Sequence, residues 1–131
     1  MLRQIALVLA LLSTTPTTAR DVFQEFAQYS DEQRDWLRTQ KSPKNANIPC
    51  CNESDGTKAE EDIRDGHYWV SFEACYFPGN YAPAVCSIKG PMMVPDEAVI
   101  KGPNMIGRAV VWYSWENRAV RIRCYVPGAG I

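Results

Sequence analysis

Five cysteines and a single histidine are the residues of this chain best suited to chemistry. Cys50 and Cys51 are adjacent, and His67, with Asp55, Asp62 or Asp65 behind it, could supply the base that turns a thiol into a nucleophilic thiolate. Against that stands the ordinary fate of exported cysteines, which is to be bridged. His67 beside Tyr68 and Trp69 also fits the edge of a strand. No local sequence around Cys50, Cys51 or His67 has the pattern of a cysteine hydrolase. Adjacent cysteines lack the two-residue spacing that brings both thiolates to one zinc ion. Asn52, Ser54 and Asp55 offer oxygen ligands without the order of a calcium loop. No metal site and no cofactor is therefore expected. Asn52-Glu53-Ser54 is a glycosylation acceptor only in a eukaryotic host.

A second kind of chemistry is recognition. The segment C-Y-F-P-G-N-Y-A-P-A-V-C from Cys75 to Cys86 would present Tyr76, Phe77 and Tyr81 on a short loop stiffened by Pro78 and Pro83, which lowers the ordering cost of binding. Rigid exposed aromatics suit sugar rings or a protein groove. The plainer reading folds Phe77 and one tyrosine back as a satellite core. Arg108, Arg121 and Arg123, with Tyr125 and Trp112, form a candidate basic and aromatic stripe that could hold a carboxylate or phosphate of a cell-envelope polymer. Its plainer reading is a solvated face paired with Glu60, Glu61 or Asp62.

These residues need a compartment and a scaffold. Arg3, an apolar run from Ile5 to Leu12 and small residues before Ala19 have the layout of a signal peptide over 1–19. The apolar run is far shorter than the roughly 20 residues of a membrane span, and no other stretch is long enough, so no span is expected after cleavage. Taking Arg3 from the 14 basic residues against 15 acidic ones leaves a mature net charge near −2. That balance makes nucleic acid a poor partner. A mature chain of this size supports one modest core, for which disulfides are useful. The expected bridges are Cys75–Cys86 and Cys124 with one of the adjacent pair, Cys51 being the preferred partner. A vicinal Cys50–Cys51 bridge would strain its own peptide unit.

The scaffold divides into 20–48, a helical segment and linker, and 49–131, a stapled β domain. Over Asp21 to Gln40, Val22, Phe26, Tyr29, Gln33 and Trp36 recur at helical spacing, widened by Phe23, Ala27 and Leu37. Ser30 followed by Gln33 is a capping-box pattern that would split the segment into two short helices. The helix is read as a cover over the β core. Asp55-Gly56 and Asp65-Gly66 mark turns, His67 to Phe77 a strand, Val85 to Ile88 its return, and Ala98 to Ile100 a short strand within a proline-broken arm. Arg108 to Gly128 reads as a closing hairpin. A two-residue loop at Glu116-Asn117 is preferred to a three-residue one, which would reverse the parity and send Trp112 inward; with the two-residue loop, Val120, Ile122, Cys124 and Val126 share one face, and Trp112 lies across from Arg121 as a cation–π pair.

The pieces W-L-R-T-Q-K-S-P, P-C-C-N-E-S-D-G, V-P-D-E-A-V-I, G-R-A-V-V-W and I-R-C-Y-V-P-G-A-G together resemble a set of small exported proteins, mostly uncharacterised, of proteobacteria and their phages. The resemblance covers most of the mature chain, with the Cys75–Cys86 loop as an addition to the pattern. It implies a bacterial or phage origin and a periplasmic home, and carries no activity, cofactor or catalytic residue with it.

The expectation is thus an α+β protein, periplasmic or secreted, with an N-terminal helix or two short helices on a small antiparallel sheet or partly open barrel. Its expected role is a non-enzymatic binding or interaction module for a cell-envelope glycan or protein. A small thiol-dependent enzyme or redox protein centred on Cys50, Cys51 and His67, and a structural protein of an envelope or phage assembly, are the alternatives.

Overall fold

The computed structural model describes residues 25–51 and 56–128; the expected signal peptide, the first turn of the N-terminal helix and the glycosylation acceptor lie outside them. One helix, α1 (Asp31–Thr39), precedes five strands: β1 (Thr57–Arg64), β2 (His67–Tyr76), β3 (Val85–Met93), β4 (Val110–Glu116) and β5 (Ala119–Val126). They form one antiparallel sheet in the order β3-β2-β1-β4-β5. The sheet is open, with β3 at one edge and β5 at the other.

Helix α1 begins where its cap chemistry allows. Ser30 accepts from the Gln33 N–H and the Gln33 side chain accepts from the Ser30 N–H, satisfying two N–H groups that the first turn leaves over. Upstream, Phe26 and Tyr29 belong to a turn in which the Tyr29 N–H donates to the Phe26 carbonyl. The helix and the turn before it cover one face of the hairpin: Phe26 of the turn and Leu37 of α1 are buried with Val110, Trp112, Cys124 and Val126.

Strand β1 is the element that sequence pattern does not reveal. Its T-K-A-E-E-D-I-R carries charges on both faces and only Ala59 and Ile63 as apolar residues, and Ile63 is half exposed. It forms because Asp65 and Gly66, both at positive φ, make a two-residue hairpin turn that delivers β1 to β2 in register from Arg64↔His67 to Ala59↔Phe72. Strand β3 continues past Ile88 through the cis Gly90-Pro91 peptide to Met93. The arm after it makes a 3-10 turn at Asp96–Ala98 and bridges Val99 to Tyr125 in parallel, where a short strand was expected.

The closing hairpin turns on two residues, but at Asn117 and Arg118, both at positive φ, one position beyond the expected loop. A register shift follows: Tyr113 faces Ile122 and Trp112 faces Cys124, so Arg123 is the extra residue of a bulge. The bulge reverses the parity of β5 halfway. Ile122 and Tyr125 are buried on one face with Phe72 and Val111, whereas Cys124 and Val126 are buried on the other beneath α1. The expected pairing of Trp112 with Arg121 is therefore replaced: Arg121 lies opposite Ser114, and Trp112 is 1% exposed.

Two disulfides staple the sheet. Cys75–Cys86 joins directly opposed residues of β2 and β3, and Cys124 pairs with Cys50, not with Cys51. Cys51, outside both bridges, is buried in the helix-side core. The Cys50 N–H also returns to the Gln40 carbonyl at the end of α1, which fixes the backbone beside the bridge. On the chain-entropy model, loops of 74 and 11 residues contribute about 4 and about 3 kcal/mol.

Candidate functional site

The sheet forks. At its base β1 joins both halves, pairing with β2 from Ala59 onward and with β4 at Thr57↔Val111 and Lys58↔Val110. Beyond Phe72, β2 outruns β1, and the backbone groups of Cys75 that would face another strand are met by side chains of β4. The Cys75 N–H donates to the Tyr113 hydroxyl at 2.8 Å, and the Trp115 Nε1–H donates to the Cys75 carbonyl at 2.9 Å. Burial raises the pKa of the Tyr113 phenol above its ordinary value, with the Cys75 backbone hydrogen bond opposing. Tyr113 and Trp115 are thus the tie across the fork.

Above that tie lies an open groove of about 610 Å³, lined by Tyr76, Val85, Ser87, Lys89, Trp115 and Arg118. Its volume is within the range of small-ligand sites. The Tyr76 ring meets Trp115 edge-on at 5.2 Å between centroids, and Lys89 Nζ stands 5.5 Å from the centre of the Trp115 ring. None of the lining side chains is acidic. Arg34, Arg38, Arg64, Arg108, Arg121 and Arg123 each have a carboxylate partner; Arg118, alone of the described arginines, has none. The groove thus combines an indole platform, a phenol, a hydroxyl and two uncompensated cations, a set that can hold a ring and an anion together.

Tyr76, Phe77 and Tyr81, which the sequence puts on a displayed loop, are all exposed, Tyr81 completely. Only Tyr76 lines the groove; Phe77 and Tyr81 are not part of its lining. The arginine stripe is broken up. Arg121 and Arg123 share the Glu116 carboxylate, at 2.8 and 3.4 Å, while Arg108 reaches Glu60 at 3.4 Å. Hydrogen bonding from Arg121 holds the Glu116 carboxyl below its usual value and raises Arg121. Trp112 and Tyr125 do not belong to a surface at all. Tyr125 is 0% exposed and its hydroxyl donates to Glu61, whose carboxylate also accepts the Gly128 N–H. Burial first, then the Glu61 hydrogen bond and charge, push its phenol well above the ordinary tyrosine range.

The thiol constellation does not assemble. Cys50 is bridged, Cys51 is buried, and the His67 ring meets Asp96 at 3.0 Å. Among the described residues, the one group of three candidate metal ligands is Glu73 with Cys75 and Cys86, and its two sulfurs are joined to each other.

Missed from the sequence were Trp115, Lys89 and Arg118. Only Arg118 leaves a trace there: a hairpin turn with positive φ at both positions favours Asn-Gly, and arginine stands where glycine would be unstrained. No described helix is long and apolar enough to cross a membrane. The chain matches no protein-family model, no curated protein and no solved structure.

Proposed function

We propose that the protein is a non-enzymatic binding module of the periplasm or extracellular space, and that the groove above the fork is its binding surface. The observation that carries this reading is the uncompensated pair Lys89 and Arg118 beside the Trp115 ring. Arg118 adds to it through its backbone. A non-glycine residue at φ 65° costs about 1–2 kcal/mol relative to glycine, and such a cost is tolerated where the side chain has a use. Two disulfides and a charge near neutrality fit an exported chain that does not bind polyanions at large. In a periplasmic home, envelope material is the ligand within reach.

Two charge-assisted hydrogen bonds at about 1.5–3 kcal/mol each correspond to a dissociation constant of roughly 6 mM to 40 µM. The test is calorimetric titration with soluble peptidoglycan fragments and with envelope extracts. Binding is expected, weakened at least tenfold by Trp115→Ala or Arg118→Ala and unchanged by Arg123→Ala. Retention insensitive to Trp115 and Arg118 would overturn the assignment of the groove.

A further inference from the structure

Of the large apolar residues left exposed, Tyr76, Phe77, Tyr81, Val85, Ile88 and Met93 all lie on the β2 tip, the loop after it and β3. Such a concentration beside one sheet edge calls for an occupant. Strand β3 is an outer strand, and among the described residues no strand pairs with its far side.

The direction of its backbone groups follows from Cys75. That residue spends its N–H and carbonyl on Tyr113 and Trp115, so Cys75↔Cys86 is a pair without mutual backbone hydrogen bonds, in keeping with a Cα separation of 4.1 Å. By the alternation of an antiparallel ladder, Cys86 and Ile88 then turn their N–H and carbonyl groups outward, while Val85 and Ser87 turn theirs toward β2. Edge strands are commonly protected by an outward lysine or a proline. Here Lys89 is drawn over the Trp115 ring instead, and Pro91 guards only the distal half, leaving Val85 to Lys89 open.

We infer that β3 accepts an added strand, and that the strand is an acidic extended peptide of another protein. This rests on the groove reading, because the inward side chains of an added strand would lie beside those of Val85, Ser87 and Lys89, over the groove. Two features select the occupant. The charges on that side are Lys89 and Arg118 without a lining acid, so acidic residues at alternate positions would complement them while the apolar ones between, on the opposite face, meet Ile88. A second copy of this chain is disfavoured by area: a Val85 to Lys89 strand spans about 17 Å, and pairing two of them falls well short of the roughly 1,200 Å² of a stable interface. An isologous pair would also bring Lys89 and Arg118 of both copies to one place.

The experiment is residue-resolved amide exchange on the full mature protein, titrated with a capped eight-residue peptide alternating valine and glutamate. The expected result is slowed exchange at Cys86 and Ile88 of at least tenfold, with Val85 and Ser87 little changed. The same peptide methylated on alternate backbone nitrogens, or carrying lysine for glutamate, should give no protection. Lys89→Glu with Arg118→Glu, changes at a half-buried and an exposed position outside the core, should weaken the effect at least tenfold. Free exchange at Cys86 and Ile88 under saturating peptide overturns the inference. So does protection that grows with protein concentration in the absence of peptide, which would identify a second copy. An acidic oligosaccharide that binds in a Trp115-dependent manner without protecting Cys86 and Ile88 overturns strand addition and leaves the groove as the binding surface.

Discussion

At the scale of single residues, the fork of the sheet is held by side chains that satisfy backbone atoms. Tyr113→Phe removes the acceptor of the Cys75 N–H and leaves a donor unmet, a cost of about 1–3 kcal/mol. Urea unfolding should show that loss, and faster exchange at the Cys75 amide should localise it. Tyr125 gives a pH-dependent counterpart. Its folded pKa is raised above the ordinary 10.0 by burial and by Glu61, so the native state holds that proton more tightly than the unfolded chain. The stabilisation is complete below pH 10 and is lost as pH rises above it. The unfolding midpoint should therefore fall from about pH 10 upward, and fall less steeply in Tyr125→Phe, with Tyr113 retaining part of the slope. Arg118→Gly should separate stability from function: relief of a positive φ is worth about 1 kcal/mol, while binding in the groove is weakened.

At the scale of elements, the legible parts were those whose signals are local. Ser30 and Gln33 announce a helix start, Asp65-Gly66 a turn, and His67 to Tyr76 a strand, because cap and turn chemistry act within a few residues. Strand β1 carried no such mark; it is held by its neighbours, and its Glu61 is occupied with Tyr125 and Gly128. The parity of β5 was unreadable for a related reason. One extra residue at Arg123 sends Tyr125 inward and exchanges the face of Cys124, and nothing in R-I-R-C-Y-V foretells it. Tyr113 and Trp115 read as ordinary strand aromatics until the fork between β2 and β4 gives their polar atoms a destination. Gly90 is the point where β3 depends on backbone freedom: at φ +107° an added Cβ would lie 2.3 Å from the Val70 carbonyl oxygen. Gly90→Ala should cost about 1–3 kcal/mol, read as a lowered urea midpoint.

At the scale of the whole molecule, the hairpin is the shared wall of two cores, one under α1 and one on the opposite face of the sheet. The Cys50–Cys124 bridge ties the helix-side segment to that wall, so Cys50→Ala should lower stability by about 4 kcal/mol while leaving the groove, on the other face, able to bind. Cys75→Ala should cost about 3 kcal/mol and impair binding as well, because the bridge holds the β2 and β3 ends that form one side of the groove. Comparing the two variants by denaturation and by ligand titration would separate the structural staple from the functional one.

The most direct test of the groove as a binding surface is the Trp115 indole N–H resonance in a titration with soluble envelope material. Saturable shifts are expected at Trp115, accompanied by Tyr76, Lys89 and Arg118 and absent from the Arg121 and Arg123 face. Saturable shifts confined to Arg121 and Arg123, or to the surroundings of His67, would contradict it.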